Sequence, residues 1–140
     1  MAGPAEKFPY FARDPQLGKA SLAPILPLTL VAQQSISATG LVDSGAAINV
    51  LPYSLGVDLR FDWNAQTKSV ALSGNRAKIE ARVVVVSALI GSFAPVRLAF
   101  AWACTDDVSV ILGQVNFFLE FDVCLFRARE TFEVRPRQMP

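Results

Sequence analysis

The 140-residue chain is 52% apolar and 18% charged, with a formal net charge of +1. That length buries a substantial core in one domain without disulfide or metal staples, and near-neutrality removes the electrostatic case for nucleic acid or an anionic membrane as partner. The absence of histidine excludes Ser-His and Cys-His nucleophile pairs and takes away the commonest zinc ligand, so no metal and no cofactor are expected.

Residues 1–20 interleave charge with Pro4, Pro9 and Pro15, show no sustained period and lack the apolar centre of a signal peptide. They are expected as an N-terminal extension to a single domain over 21–140. No stretch approaches the roughly 20 apolar residues that span a bilayer, so a soluble, cytoplasmic protein is expected.

From Ile25 the pattern turns strand-like. "ILPLTLV" alternates Leu26, Leu28 and Leu30 with Pro27, Thr29 and Val31, which predicts a half-buried strand. Next comes "GLVDSGAAINVLP", Gly40 to Pro52, where the carboxylate of Asp43 follows apolar Leu41 and Val42 and precedes the small residues Ser44, Gly45 and Ala46. A buried, unpaired carboxylate is costly, so this placement means either a turn that reaches water or a site that uses the charge.

Downstream, "SVALSGNRAKIEA" arranges two alternating runs about Ser73-Gly74-Asn75, the turn of a hairpin. The second run, "KIEARVVVV", sets Ile79, Ala81 and Val83 against Glu80 and Arg82, and "RLAFAWAC" is a continuous apolar run suited to a strand covered on both faces. Neighbours on a strand point to opposite faces, so Asp106 and Asp107 read as a solvated loop rather than a catalytic pair.

"VSVILGQVNFF" then stops an apolar strand at Ile111-Leu112-Gly113. A brief helix, the only one expected, starts near Gln114 to Asn116, with Asn116 as its cap and Val115, Phe118 and Leu119 on one face. Phe117, Phe118, Phe121 and Phe126 read as core. Cys104 and Cys124 lie in apolar settings without metal spacing and read as buried free thiols, although the sequence does not exclude a bridge. The final "ETFEVR" reads as a strand, and its flanking arginines interleave with Glu130 and Glu133 as a solvated face. Together these elements predict an all-β fold: a mostly antiparallel, closed or nearly closed β domain with one short C-terminal helix.

With the Asp43 and Ile111 segments both in view, the chain resembles the retropepsin-like aspartic proteases, the single-domain, retroviral-type relatives of pepsin, over residues 21–135. The resemblance implies that Asp43 is the catalytic aspartate and that Ser44, Gly45 and Ala46 support its loop. It implies that Ile111, Leu112 and Gly113 back that loop, and that Ser73, Gly74 and Asn75 form the tip of a flap over the substrate. The residue types suit those roles. Gly45 permits a tight turn and close approach of backbone to ligand, the Ser44 hydroxyl can hold the loop, and Ala46 leaves space beside the carboxylate.

Amide hydrolysis by carboxylates needs two of them, one ionised and one protonated, yet the chain carries one such motif. The resemblance therefore implies a homodimeric endopeptidase whose partners are a peptide or protein substrate and a second copy of itself. Two positions depart from the retroviral pattern: the flap holds a single glycine, Gly74, and Gln114 stands where retroviral enzymes carry an arginine. A non-catalytic retropepsin-like domain serving dimerisation or peptide binding is the rival reading.

Overall fold

The computed structural model describes residues 4–73 and 78–138. In chain order the elements are β1 (Glu6–Pro9), β2 (Phe11–Ala12), β3 (Leu22–Ala23), β4 (Ile25–Val31), β5 (Ser35–Val42), β6 (Asn49–Leu51), α1 (Tyr53–Asp58), β7 (Ser69–Ser73) and β8 (Lys78–Leu89). They continue with β9 (Val96–Ala103), β10 (Ile111–Leu112), α2 (Phe117–Glu120), β11 (Phe121–Phe126) and β12 (Thr131–Pro136). No helix among the described residues is long and apolar enough to cross a membrane.

The period-2 pattern of β4 does what alternation predicts: Leu26, Leu28 and Leu30 are buried while Pro27 faces out. One sheet runs β4-β5-β10-β6-β9-β8-β7, and a further pairing of β4 with the end of β8, Thr29 opposite Leu89, closes its first six strands into a barrel. Closure covers the strand edges only in part, since β5 meets β10 only at Leu41 and Val42 and β4 meets β8 only from Thr29 to Val31. The pairing is mixed rather than uniformly antiparallel, since β10 runs parallel to β5 and β6 parallel to β9. Inside the barrel, Leu26, Leu30, Leu51, Leu98, Phe100 and Leu112 are at most 1% exposed, each contributing roughly 1.5–3 kcal/mol by leaving water.

A second, three-stranded sheet, β1-β12-β11, packs on this core through Phe132 and Val134, both fully buried. The expected extension is thereby corrected from Glu6 onward. β1 pairs with β12 from Glu6–Val134 to Pro9–Thr131, Phe8 stacks on Phe132, and Tyr10 joins the core. Prolines and charges mask this strand in the sequence because it lies at a sheet edge, where both are tolerated. Glu6 also ties the strand to the β8–β9 connection: Ser92 donates to its carboxylate from the backbone N–H at 2.9 Å and from Oγ at 2.6 Å. These bonds hold the Glu6 carboxyl below its usual value.

Other expectations need revision. A second helix exists, α1, although Pro52 at its N-cap offers no side-chain acceptor. Its first-turn donors are satisfied from afar, Tyr53 N–H by the Thr105 carbonyl and Ser54 N–H by Asp106 Oδ1. Gly56 lets the helix lie on the Trp102 indole, which a Cβ would strike. Both cysteines are exposed and unbridged, Cys104 where β9 runs out into a bend and Cys124 on the outer face of β11. In β8 the buried phase is Ala81, then Val84, Val86 and Ala88, so Val83 falls out of the inward set. Phe117 and Phe121 are core, while Phe118 and Phe126 are half-buried; Val115 and Leu119, expected with Phe118 on one face of the short helix, are exposed, and Val115 precedes α2.

Candidate active site

β5 ends at Val42, and its neighbour β10 runs parallel to it with Leu41 opposite Ile111 and Val42 opposite Leu112. Beyond that pairing the chain must turn. Asp43 is the first residue outside the strand, half-buried, its N–H donating to the Leu112 carbonyl at 3.0 Å. The turn is local chemistry of a kind common at Asp-Ser-Gly: Asp43 Oδ1 accepts the Gly45 N–H at 2.9 Å, and the Ala46 N–H donates to the Asp43 carbonyl. A Cβ on Gly45 would stand 3.3 Å from that same carboxylate oxygen. The missing side chain is what lets the acid sit against the backbone.

The loop is held from behind. Gly113 passes so close beneath it that a Cβ would lie 2.5 Å from the Ile48 carbonyl oxygen and 2.8 Å from that of Ala46. Gln114 and Val115 donate their N–H groups to the carbonyls of Ala46 and Ala47, and the Gln114 side-chain amide donates to the Ser44 carbonyl at 2.8 Å. Ser44 therefore holds the loop through its backbone oxygen. Its hydroxyl, expected to do so, makes no hydrogen bond among the described residues.

Asn49 is the one polar residue buried in the core of the described residues, and its amide completes the support. Its Oδ1 accepts the Gly113 N–H at 2.8 Å, while Nδ2 donates to the Ala99 carbonyl and to Asn116 Oδ1. Asn116 spends its amide in this network, accepting from Ala99 N–H and donating to the Arg97 carbonyl, rather than capping α2 as expected. Sequence reasoning missed Asn49. A lone amide inside the apolar run "AINVL" was the available signal, because a buried amide implies built partners.

Above the loop lies a groove of about 850 Å³. Its floor is residues 45–48 with Val50 and Ile111, its roof is Ala71, Leu72, Ser73 and Ile79 of the β7–β8 hairpin, and its side wall is Asp107 and Val108. Ser73 pairs with Lys78, so it belongs to the strand rather than to the expected turn. Gly74 and Asn75 lie outside the described residues. Chemically, the arrangement offers the Asp43 carboxylate, with one oxygen fixed by a backbone donor, beside a mostly apolar groove that carries Asp107 on its wall.

The same architecture occurs in the crystal structure of a retropepsin-like aspartic protease from Rickettsia conorii, with a TM-score of 0.63 over 91% of this chain and 98% of that one, at 13% sequence identity. The fold is therefore the retropepsin-like one. No protein-family model matches the chain, and no curated protein matches it in sequence.

Proposed function

We propose that this chain is one half of an aspartic endopeptidase that works as a homodimer, cutting extended peptides laid between the Asp43 loops and the β7–β8 hairpins. The observation that carries this reading is the single Asp43 carboxylate on a braced turn whose next residues, Gly45 and Ala46, line the groove, in a fold shared with a retropepsin-like aspartic protease.

One carboxylate cannot both take a proton from water and donate one to the amide carbonyl. Two copies related by a two-fold axis bring two Asp43 side chains together, where like charges about 3 Å apart cannot both ionise and one proton is shared. The ionised member draws a proton from the attacking water. The protonated member polarises the carbonyl, and the resulting tetrahedral intermediate collapses as the amine leaves with a proton. Peptide backbone lies in the groove as an added strand, with side chains alternating between pockets.

Surface chemistry supports the second copy. Val115, hydrogen-bonded to the loop at Ala47, is 51% exposed, and Leu119 on α2 is 56% exposed. β11, with a single strand partner in its sheet, exposes Leu125 at 53%. Such exposed apolar side chains and an open edge suit an isologous contact.

The test is cleavage profiling on a diverse peptide pool from about pH 3 to pH 8, with wild type and Asp43→Asn in parallel. Wild type is expected to cut with a bell-shaped pH dependence centred on the acidic side of neutrality, as the shared-proton pair gains and loses its working state. Asp43→Asn keeps the acceptor for the Gly45 N–H but not the base, and is expected to lose at least about 10²–10⁴-fold in rate. Equal cleavage by both proteins would overturn the reading, and a dimeric wild type that cuts nothing would favour the non-catalytic, peptide-binding alternative.

A further inference from the structure

The adjacent carboxylates Asp106 and Asp107 share a loop but not a task. Asp106 is consumed structurally, its Oδ1 accepting the Ser54 N–H at 2.8 Å to cap α1. Asp107 is fixed by its backbone, whose N–H donates to Thr105 Oγ1 at 3.0 Å, and its exposed side chain lines the groove. Neither ion pair among the described residues, Lys19–Glu130 or Arg82–Glu80, involves it. Of the described residues lining the groove it is the one that carries a charge, the others being apolar, glycine or serine. A trough of this composition discriminates little among apolar side chains, but it does carry one sign of charge at one place on its wall.

We infer that Asp107 is a specificity-determining residue: it selects peptides bearing a Lys or Arg side chain beside the apolar side chain seated against Val50, Val108 and Ile111. This rests on the reading of the groove as a peptide site. Side chains on one face of an extended peptide recur every second residue, roughly 6.5–7 Å apart. The basic residue therefore falls two positions from the apolar one, on the face turned to the 105–108 wall. An ammonium or guanidinium there meets an exposed carboxylate, an interaction that salt weakens and that supplies a preference of about three- to five-fold.

Two readouts separate this inference from the reading beneath it. Fluorescein-labelled peptides of about ten residues, matched except for Lys, Gln or Glu at each position in turn, are assayed for kcat/KM with wild type, Asp107→Asn and Asp107→Lys. Their Kd values are measured by anisotropy with the same Asp107 variants carrying Asp43→Asn, which removes turnover. At low salt, Lys is expected to be favoured over Gln about three- to five-fold at one position. That ratio is expected to collapse to about one in Asp107→Asn, and Asp107→Lys should favour Glu at the same position.

A Lys preference that survives Asp107→Asn, or equal treatment of Lys and Gln by wild type, overturns the inference while cleavage itself leaves the protease reading standing. Binding with the Asp107-dependent preference but without cleavage upholds the inference and removes the protease reading. Failure to bind or cut any peptide of the set removes both. Asp107 is exposed, so a retained cooperative thermal transition in each variant shows that the changed ratios are not unfolding.

Discussion

Asn49 illustrates how a single residue can set a site without touching it. Its amide is fully buried and satisfies Gly113 N–H, the Ala99 carbonyl and Asn116 at once. Replacing it by leucine keeps the branched heavy-atom shape but strips the Gly113 N–H and the Ala99 carbonyl of the partner it supplied, at about 1–3 kcal/mol for each group stranded. Asn49→Leu is therefore expected to lower stability by about 2–5 kcal/mol, read as a shifted urea midpoint, and to reduce kcat more than it raises KM, because Gly113 no longer holds the Asp43 loop in register. Unchanged kcat in the folded fraction would mean the loop is positioned by the Gln114 and Val115 bonds alone. Asp43 was legible because its turn chemistry is local, Gly45 lying two residues away. Asn49 was not, because it accepts from Gly113 across 64 residues and donates to Asn116 across 67, distances no local pattern encodes.

At the level of elements, what repeats along the chain was readable and what is supplied from elsewhere was not. β4 and β12 follow from alternation alone, since one face of each is core. α1 escaped notice because its capping acceptor, Asp106, stands 52 residues downstream of Ser54. The fault in the reading of β8 has a different cause: its twelve residues serve two surroundings, hairpin roof and barrel wall, and the inward set changes phase between them. The misread face of α2 has a use. Val115 and Leu119 point outward, and the proposed dimer would bury them. Leu119→Glu is expected to leave the monomer fold intact and weaken association by at least about tenfold, followed by sedimentation across micromolar concentrations, with activity per chain becoming concentration-dependent in parallel. Unaltered association would assign the contact to another face.

Across the whole molecule, the N-terminal strand is clasped rather than appended. Glu6 accepts two bonds from Ser92, chiefly from its hydroxyl and then from its backbone N–H, which lower its pKa from an ordinary 4.5. A carboxyl depressed in the folded state stabilises above its unfolded value, and that contribution is lost as pH falls from about 4.5 through the folded value. Glu6→Gln is therefore expected to remove some stability at neutral pH and to flatten the acid limb of the stability profile, both seen in thermal transitions at stepped pH. A wild-type and variant pair with parallel acid limbs would show that the clasp carries no weight. Barrel closure has a mechanical consequence. Arg82 holds the carbonyl of Trp63, and from Ala81 to Ala88 the strand β8 is locked to β9. Among the described residues, Lys78, Ile79 and Glu80 have β7 as their only strand partner, apart from one bond from the Cys104 N–H to the Glu80 carbonyl. An isolated two-stranded ribbon is marginal in water, so this segment is a lever projecting from a rigid fulcrum. Backbone deuterium uptake should be fast at Leu72 and at residues 78–80 but slow at residues 84–88, and core substitutions that shift melting should leave the fast rates untouched. The hairpin that roofs the groove can then be tuned by a handful of side chains without putting the barrel at risk.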